Sequence, residues 1–321
     1  MQNLVVPMRN FVAWRPQSLS EFKGQQLLMS QLDTEVPASI QLMQPLLHML
    51  FWGPPGLGKT TLAKAIAKER GVPFISRVGE GLTQKSLTHL LVEELYEQTG
   101  HHRGYNEQGV LVNPAEAIFP VILIDEAEKL PRGIMQLLHT VLESDRSDGV
   151  MTFQGINPFN GQQFTAWVPR FTMIVNTNYY GDIVAKAQAT ESRFKIVGQF
   201  QFYDPEESYQ VALNQAQANK LPILPDAARL IAARSHGIPR TICHLLERSM
   251  RYMVVAKERA ITRKVVERLL ESLGIDEHGL DPAMRQYLKI LADAPSGKMA
   301  VQALASMMRS DVKTLEHTVE P

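Results

Sequence analysis

The sequence predicts a doubly wound α/β unit followed by two helical units, and three observations carry that expectation. Short apolar runs alternate with longer helical patterns through the first 200 residues, as in a parallel sheet covered on both faces. Strand signals stop after Asp204-Pro205, where helical patterns take over. A further change of composition comes at 274–279, and three short helical patterns follow it.

The candidate strands are 48–52, 72–76, 121–124, 171–176 and 199–203. Helical patterns at 60–70, 84–98 and 132–144 lie between them, each with apolar residues three and four apart. The second unit reads as helices at 206–219, 226–235, 239–258 and 262–273. The third reads as 282–292, 301–308 and 311–318, of which the last two resemble a helix-turn-helix pair. The expected domains are therefore 1–203, 204–273 and 274–321.

At 321 residues the chain exceeds what one core fills, since a domain takes about 100–200 residues. With 45% hydrophobic and 21% charged residues it reads as globular. The 33 basic and 33 acidic side chains balance, so any contact with nucleic acid must be local. Residues 281–321 hold five basic and five acidic side chains, and 204–273 hold 11 and 8. The first is no electrostatic footprint for DNA, and the second has a modest basic excess of three. The one cysteine, Cys243, stands in an apolar helical pattern and reads as buried and inert. No apolar stretch reaches the roughly 18 residues of a membrane span, and 1–14 lacks the pattern of a signal peptide. A soluble cytoplasmic protein with no membrane contact is expected.

Two motifs carry chemistry. Gly53-Pro54-Pro55-Gly56-Leu57-Gly58-Lys59-Thr60 fits a phosphate-binding loop, and it follows an apolar strand and opens a helix. Its glycines let backbone N–H groups face phosphates, and the helix adds its positive end. Lys59 is then expected to contact the β- and γ-phosphates of a nucleoside triphosphate, and the Thr60 hydroxyl to bind Mg²⁺, with a lesser role for Thr61. The second motif, Val121-Ile122-Leu123-Ile124-Asp125-Glu126, is a buried-strand pattern ending in two carboxylates. Ligands of open α/β sheets bind at that end of the strands. Asp125 is expected to hold Mg²⁺ through water, and Glu126 to act as general base on the attacking water.

These two motifs, with Asp125-Glu126-Ala127-Glu128 and the segment Arg15-Pro16-Gln17-Ser18-Leu19-Ser20-Glu21-Phe22-Lys23-Gly24-Gln25, resemble an AAA+ ATPase. Within that superfamily the chain is most similar to the RuvB family of Holliday-junction branch-migration motors, in order from about Arg15 to Pro321. The resemblance implies a P-loop core with a five-stranded parallel sheet, an all-helical lid and a partial winged-helix domain. It implies ATP and Mg²⁺ as ligands, a ring assembly of six, and action on DNA in recombination and repair.

It also assigns roles residue by residue. Phe171-Thr172-Met173-Ile174-Val175-Asn176-Thr177-Asn178 is similar to the sensor 1 strand, with Asn178 orienting the attacking water. Glu191-Ser192-Arg193-Phe194 resembles the arginine-finger segment, so Arg193 would act on a neighbour's γ-phosphate. Gly237-Ile238-Pro239-Arg240 resembles sensor 2, with Arg240 reporting the nucleotide in cis. Phe22, Lys23 and Gly24 would line the adenine pocket from one side, and Pro239 and Arg240 from the other. The family's basic wing is expected to begin where the present sequence reaches Val319-Glu320-Pro321.

Two stretches depart from a plain core. Residues 149–170 read as a β-hairpin turning at Asn157-Pro158-Phe159-Asn160-Gly161 and carrying Phe153, Phe159, Phe164 and Trp167. The family docks its junction-binding partner RuvA on such a hairpin. Here the aromatics fit either an exposed protein-binding surface or packing against the sheet. Residues 101–114 read as a solvated loop, because no further metal ligand accompanies His101-His102 at a workable spacing. Three functions follow: a ring-forming DNA motor, an ATPase that remodels or recruits a protein through the aromatic hairpin, and a poorly hydrolysing nucleotide switch. Glu126, Asn178 and Arg193 argue against the third.

Overall fold

The structure is a computed structural model and describes residues 11–144, 151–156, 162–186, 193–294, 297–312 and 314–315. They fall into two compact units. One comprises Pro16–Pro54 and Gly58–Gln201; the other comprises Met1–Arg15, Pro55–Leu57 and Phe202–Pro321.

The first unit opens with helix α1 (Gln26–Gln41), which the sequence patterns did not suggest. Pro37 lies inside it and no side chain caps its start, so the local signals point away from a helix. Burial of Leu28, Leu32 and Val36 along one face holds it in place. Strand β1 (Met49–Trp52) leads into α2 (Lys59–Arg70) and β2 (Phe74–Val78). The expected helix over 84–98 is three pieces: α3 (Gln84–Thr88), a π-helical stretch (His89–Glu94) and α4 (Leu95–Gln98). Thr83 caps its start in a box with Ser86.

Strand β3 (Val121–Asp125) follows, then a 3₁₀ turn (Ala127–Lys129) and α5 (Arg132–Ser144). Strands β4 (Met151–Ile156) and β5 (Gln163–Val168) form the hairpin, and β6 (Thr172–Thr177), α6 (Tyr180–Lys186) and β7 (Ile196–Gln199) complete the unit.

The main sheet is parallel with order β2-β3-β6-β1-β7, and β4 pairs only with β5, antiparallel. Val121 to Ile124 and every residue of β6 are buried, which explains why β3 reads as an unbroken apolar run and β6 carries Met173, Ile174 and Val175 at its centre. The last strand is 196–199, not the expected 199–203. Ile196 and Gly198 alternate inward at the sheet edge, whereas Phe200 is buried beyond the strand's end, its ring 5.5 Å from that of Phe51.

The hairpin's aromatics are engaged in packing. Phe153 is fully buried in the core with Met135, Leu138 and Phe171, and Phe164 packs partly buried against the same cluster. Trp167 meets the 101–114 segment: its ring centroid lies 4.5 Å from His102 and 5.6 Å, stacked, from Tyr105. The Tyr105 hydroxyl accepts the Arg170 N–H at 2.9 Å. Residues 101–114 are therefore no plain solvated loop; their aromatic side packs on the hairpin. The expected turn, with Phe159, lies outside the described residues.

In the second unit, helices α7 (Pro205–Ala218), α8 (Pro225–Ala233), α9 (Pro239–Val255) and α10 (Arg263–Leu273) surround one core, which includes Ala212, Ile231, Leu246 and Leu269. Three start with proline, and Asp204 and Thr262 cap α7 and α10, so their starts were sharply legible. Phe11 packs on this core, and Asn219 and Gln215 bond the backbone of Val12 and Trp14. Cys243 is half-buried, and burial pushes its thiol up to about 11, in keeping with an inert side chain.

After Gly274, α11 (Pro282–Asp293) and α12 (Val301–Met307) carry a separate small core of Leu304, Ala305 and Leu315 packed by Tyr287 and Leu291. Of the helix expected at 311–318, only 312 and 314–315 lie in described helical positions. No helix among the described residues is long and apolar enough to cross a membrane.

Burial, and secondarily the neighbouring His101, lower the His102 pKa to about 4, from an ordinary value near 6.5. A histidine held neutral in the folded state stabilises fully above its unfolded pKa, and that contribution is lost as pH falls from about 6.5 toward 4. Urea midpoints of the parent chain and His102→Phe should therefore diverge in pH response. Between pH 7 and pH 5 the variant should lose less stability; equal losses would contradict this packing.

Candidate nucleotide-binding site

The site forms where β1, β3 and β6 end together. β6 lies between the other two, with Ile124 of β3 opposite Val175 and Trp52 of β1 opposite Thr177. The loops leaving the three strands therefore share one edge of the sheet.

After Trp52 the chain turns at Gly53, whose φ of +134° and close approach to Phe200 admit no side chain: a Cβ there would stand 2.5 Å from the Phe200 carbonyl oxygen. Pro54 follows, and Gly58 precedes α2 in a left-handed conformation. Pro55, Gly56 and Leu57 group with the second unit, where the Arg240 N–H donates to the Gly56 carbonyl at 3.3 Å. A Cβ on Gly56 would stand 2.9 Å from the Ile238 Cγ2.

Lys59, the first residue of α2, is 7% exposed. Its ammonium donates to the carbonyls of Gly53 at 2.6 Å and Pro54 at 2.9 Å and to Asn178 Oδ1 at 3.0 Å. These neutral oxygens stand where an anionic ligand could be exchanged for them. Thr60 donates its hydroxyl to Asp125 Oδ2 at 2.5 Å, and Thr61, half-buried on the same first turn, is not part of that pair. Asn176 is fully buried; its amide lies 3.4 Å from the Thr60 hydroxyl, and its Oδ1 has no partner among the described residues.

A hydroxyl and a carboxylate oxygen side by side suit a hard cation completed by phosphate and water. Among the described residues no group of three or more His, Cys, Asp or Glu gathers to hold a metal unaided.

Glu126 has φ +53°, a strained conformation for a residue with a side chain, and its Oε2 accepts from Lys129 Nζ at 2.8 Å. Hydrogen bonds to Glu126, and then to Glu80, hold the Lys129 ammonium above its ordinary pKa. Asn178 bonds in two directions, for its amide also donates to Glu128 Oε1 at 3.3 Å, while Glu128 Oε2 accepts the Thr177 hydroxyl at 2.8 Å. Sequence reasoning gave no role to Asn176, Glu128 or Lys129. Glu128 was within reach, standing three residues beyond Asp125 on a turn.

The other expected residues are placed differently. Arg193 pairs with Glu143 of α5; its side chain is 12% exposed, and its Nε is buried without a partner among the described residues. Thus its own subunit occupies the guanidinium. Phe22 is 7% exposed and belongs to the first unit's core, and the half-buried Lys23 has its ammonium 3.5 Å from the Ser20 carbonyl. Pro239 opens α9, and Arg240 is exposed in its first turn.

The chain is similar along its length to proteins of one family. Three family descriptions match in chain order: the Holliday junction DNA helicase RuvB P-loop domain over residues 14–99, the RuvB AAA lid domain over 203–276, and the RuvB C-terminal winged helix domain over 277–321. The chain is 31% identical over 307 residues to the Holliday junction branch migration complex subunit RuvB of a Nitratiruptor species, covering 96% of this chain and 83% of that protein. It is 30% identical over 310 residues to the RuvB subunit of Ehrlichia ruminantium (strain Gardel), covering 97% and 85%. The solved structure of the Thermotoga maritima RuvB Holliday junction branch migration motor is similar with a TM-score of 0.74 at 28% identity, covering 96% of this chain and 89% of that one.

Lys59→Ala removes the one buried ammonium of this loop. A hydrogen bond to a charged group is worth about 1.5–3 kcal/mol, so nucleotide affinity should fall about ten- to a hundredfold. Titration with a fluorescent ATP analogue checks it, and undiminished affinity would remove Lys59 from the site.

Proposed function

The chain belongs to the RuvB family of AAA+ ATPases, and from that membership we propose that it is an ATP-driven, ring-forming motor that moves branched DNA in recombination and repair. The observation that carries this reading is the continuity of the match from the P-loop through the lid into the winged helix. An ATPase core alone would leave the substrate open.

Within that reading, Gly53 to Gly58 hold the triphosphate by backbone N–H groups, and Lys59 exchanges its carbonyl acceptors for β- and γ-phosphate oxygens. Thr60 and Asp125 hold Mg²⁺, which when bound offsets charge on those phosphates. Glu126 takes the proton of the attacking water, and Asn178, fixed between Lys59 and Glu128, orients that water. Arg193 leaves Glu143 to stabilise charge on the neighbour's transferred phosphoryl group. Phe22 and Lys23 serve nucleotide binding in one unit, and Pro239 and Arg240 in the other, within domains bounded at about 203 and 273.

The ring is hexameric, and the protein works in the cytoplasm. A protein partner of the RuvA kind docks on the hairpin around 149–170. The packing of Phe153, Phe164 and Trp167 favours the DNA motor over a remodeller that works through exposed aromatics.

Because Arg193 serves another copy's nucleotide, ATPase activity per subunit should rise steeply with protein concentration, and four-way junction DNA should raise it further. A rate per subunit independent of concentration and indifferent to junction DNA at low salt would contradict both halves of the proposal.

A further inference from the structure

Lys129 stands one turn beyond Glu126, and nothing in the nucleotide-binding motifs calls for a lysine there. Its ammonium donates to Glu126 Oε2 at 2.8 Å and to Glu80 Oε2 at 3.0 Å. One cation thus serves two carboxylates, one of them the base of the proposed reaction. The backbone fixes this meeting. The Gly79 N–H donates to the Asp125 carbonyl at 2.7 Å, and a Cβ on Gly79 would stand 2.5 Å from the Glu126 carbonyl oxygen. Only glycine lets the chain leaving β2 lie this close to the turn leaving β3, which brings Glu80 beside Glu126. The Lys129 N–H donates to the Glu126 carbonyl at 3.0 Å and closes the turn between them.

The side chains themselves are free to exchange partners. Lys129 is 46% exposed, Glu126 43% and Glu80 71%, and exposed ion pairs of this kind are weak and readily broken. A carboxylate oxygen that already accepts a charge-assisted hydrogen bond from an ammonium is a poorer acceptor for the O–H of an attacking water. The left-handed backbone at Glu126 further narrows where its carboxylate can turn.

We propose that Lys129 is a positioning residue that holds Glu126 away from the attacking water, and that Glu80 relieves the hold by drawing the same ammonium to itself. The inference rests on Glu126 being the base. It sets the basal rate: turnover proceeds from the state in which Lys129 lies on Glu80, and any contact that takes Glu80 from Lys129 slows it. Neither Lys129 nor Glu80 belongs to the phosphate loop, so their effect falls on kcat and leaves the KM for ATP in place.

The test is steady-state ATP hydrolysis by the full chain at assembling concentration with saturating Mg-ATP. Lys129→Met should raise kcat about three- to tenfold, and Glu80→Gln should lower it about threefold, with KM within about twofold of the parent in both. Lys129→Arg should keep the parent rate within about twofold, because it keeps the charge. In the Lys129→Met background, Glu80→Gln should have no effect, since the cation it competes for is gone. A lower kcat in Lys129→Met, a higher one in Glu80→Gln, or additive effects in the double variant would overturn the proposal. Glu126→Gln separates the two levels: normal turnover in it refutes the base assignment itself, whereas stalled turnover with same-sign effects at 80 and 129 refutes this inference alone.

Discussion

The structure depends on the parallel register of β1, β6 and β3. β6 lies between the strand that delivers the phosphate loop and the strand that delivers the carboxylates, so all three chains leave the sheet at one edge. That coincidence allows the Thr60 hydroxyl to lie 2.5 Å from Asp125 across 65 positions of sequence, and Lys59 to lie 3.0 Å from Asn178 across 119. A slip of one residue in β3 would turn Asp125 to the opposite face of the sheet. Full burial of Val121 to Ile124 and of β6 resists such a slip, because each apolar side chain would have to find a new neighbour.

Around this edge the polar groups form one network in which few atoms stand alone. Asn178 joins Lys59 to Glu128, and Glu128 joins Thr177, so the end of β6 reads both the phosphate loop and the turn beyond β3. One exception is Asn176 Oδ1, buried without a partner among the described residues. Buried polar atoms left unsatisfied are costly.

Legibility followed the range of the interaction. The phosphate loop and the β3 carboxylates were readable because their signals are local: glycines in a turn, an apolar run, then acids. The lid helices were readable because Asp204, Thr262 and the prolines at their starts mark them. Helix α1 was not, since Pro37 contradicts it locally and only burial of Leu28, Leu32 and Val36 sustains it. The last strand was displaced because Phe200 and Phe202 continue its apolar pattern past its end at Gln199. The aromatic hairpin stayed ambiguous until Trp167 met His102 and Tyr105, some sixty positions earlier in the chain. The Arg193–Glu143 and Lys129–Glu80 pairs have the same origin, being contacts between segments that no periodicity connects.

The central claim is that the active site is shared between copies, with Lys59 acting in its own subunit and Arg193 in the next. The most direct measurement mixes two variants, Lys59→Ala and Arg193→Ala, each inactive alone, and follows ATP hydrolysis as the ratio changes. Shared sites predict restored activity with a maximum near equal amounts, because the first variant lends its Arg193 to the intact phosphate loop of the second. No restoration at any ratio, under conditions in which the subunits demonstrably co-assemble, would contradict the account.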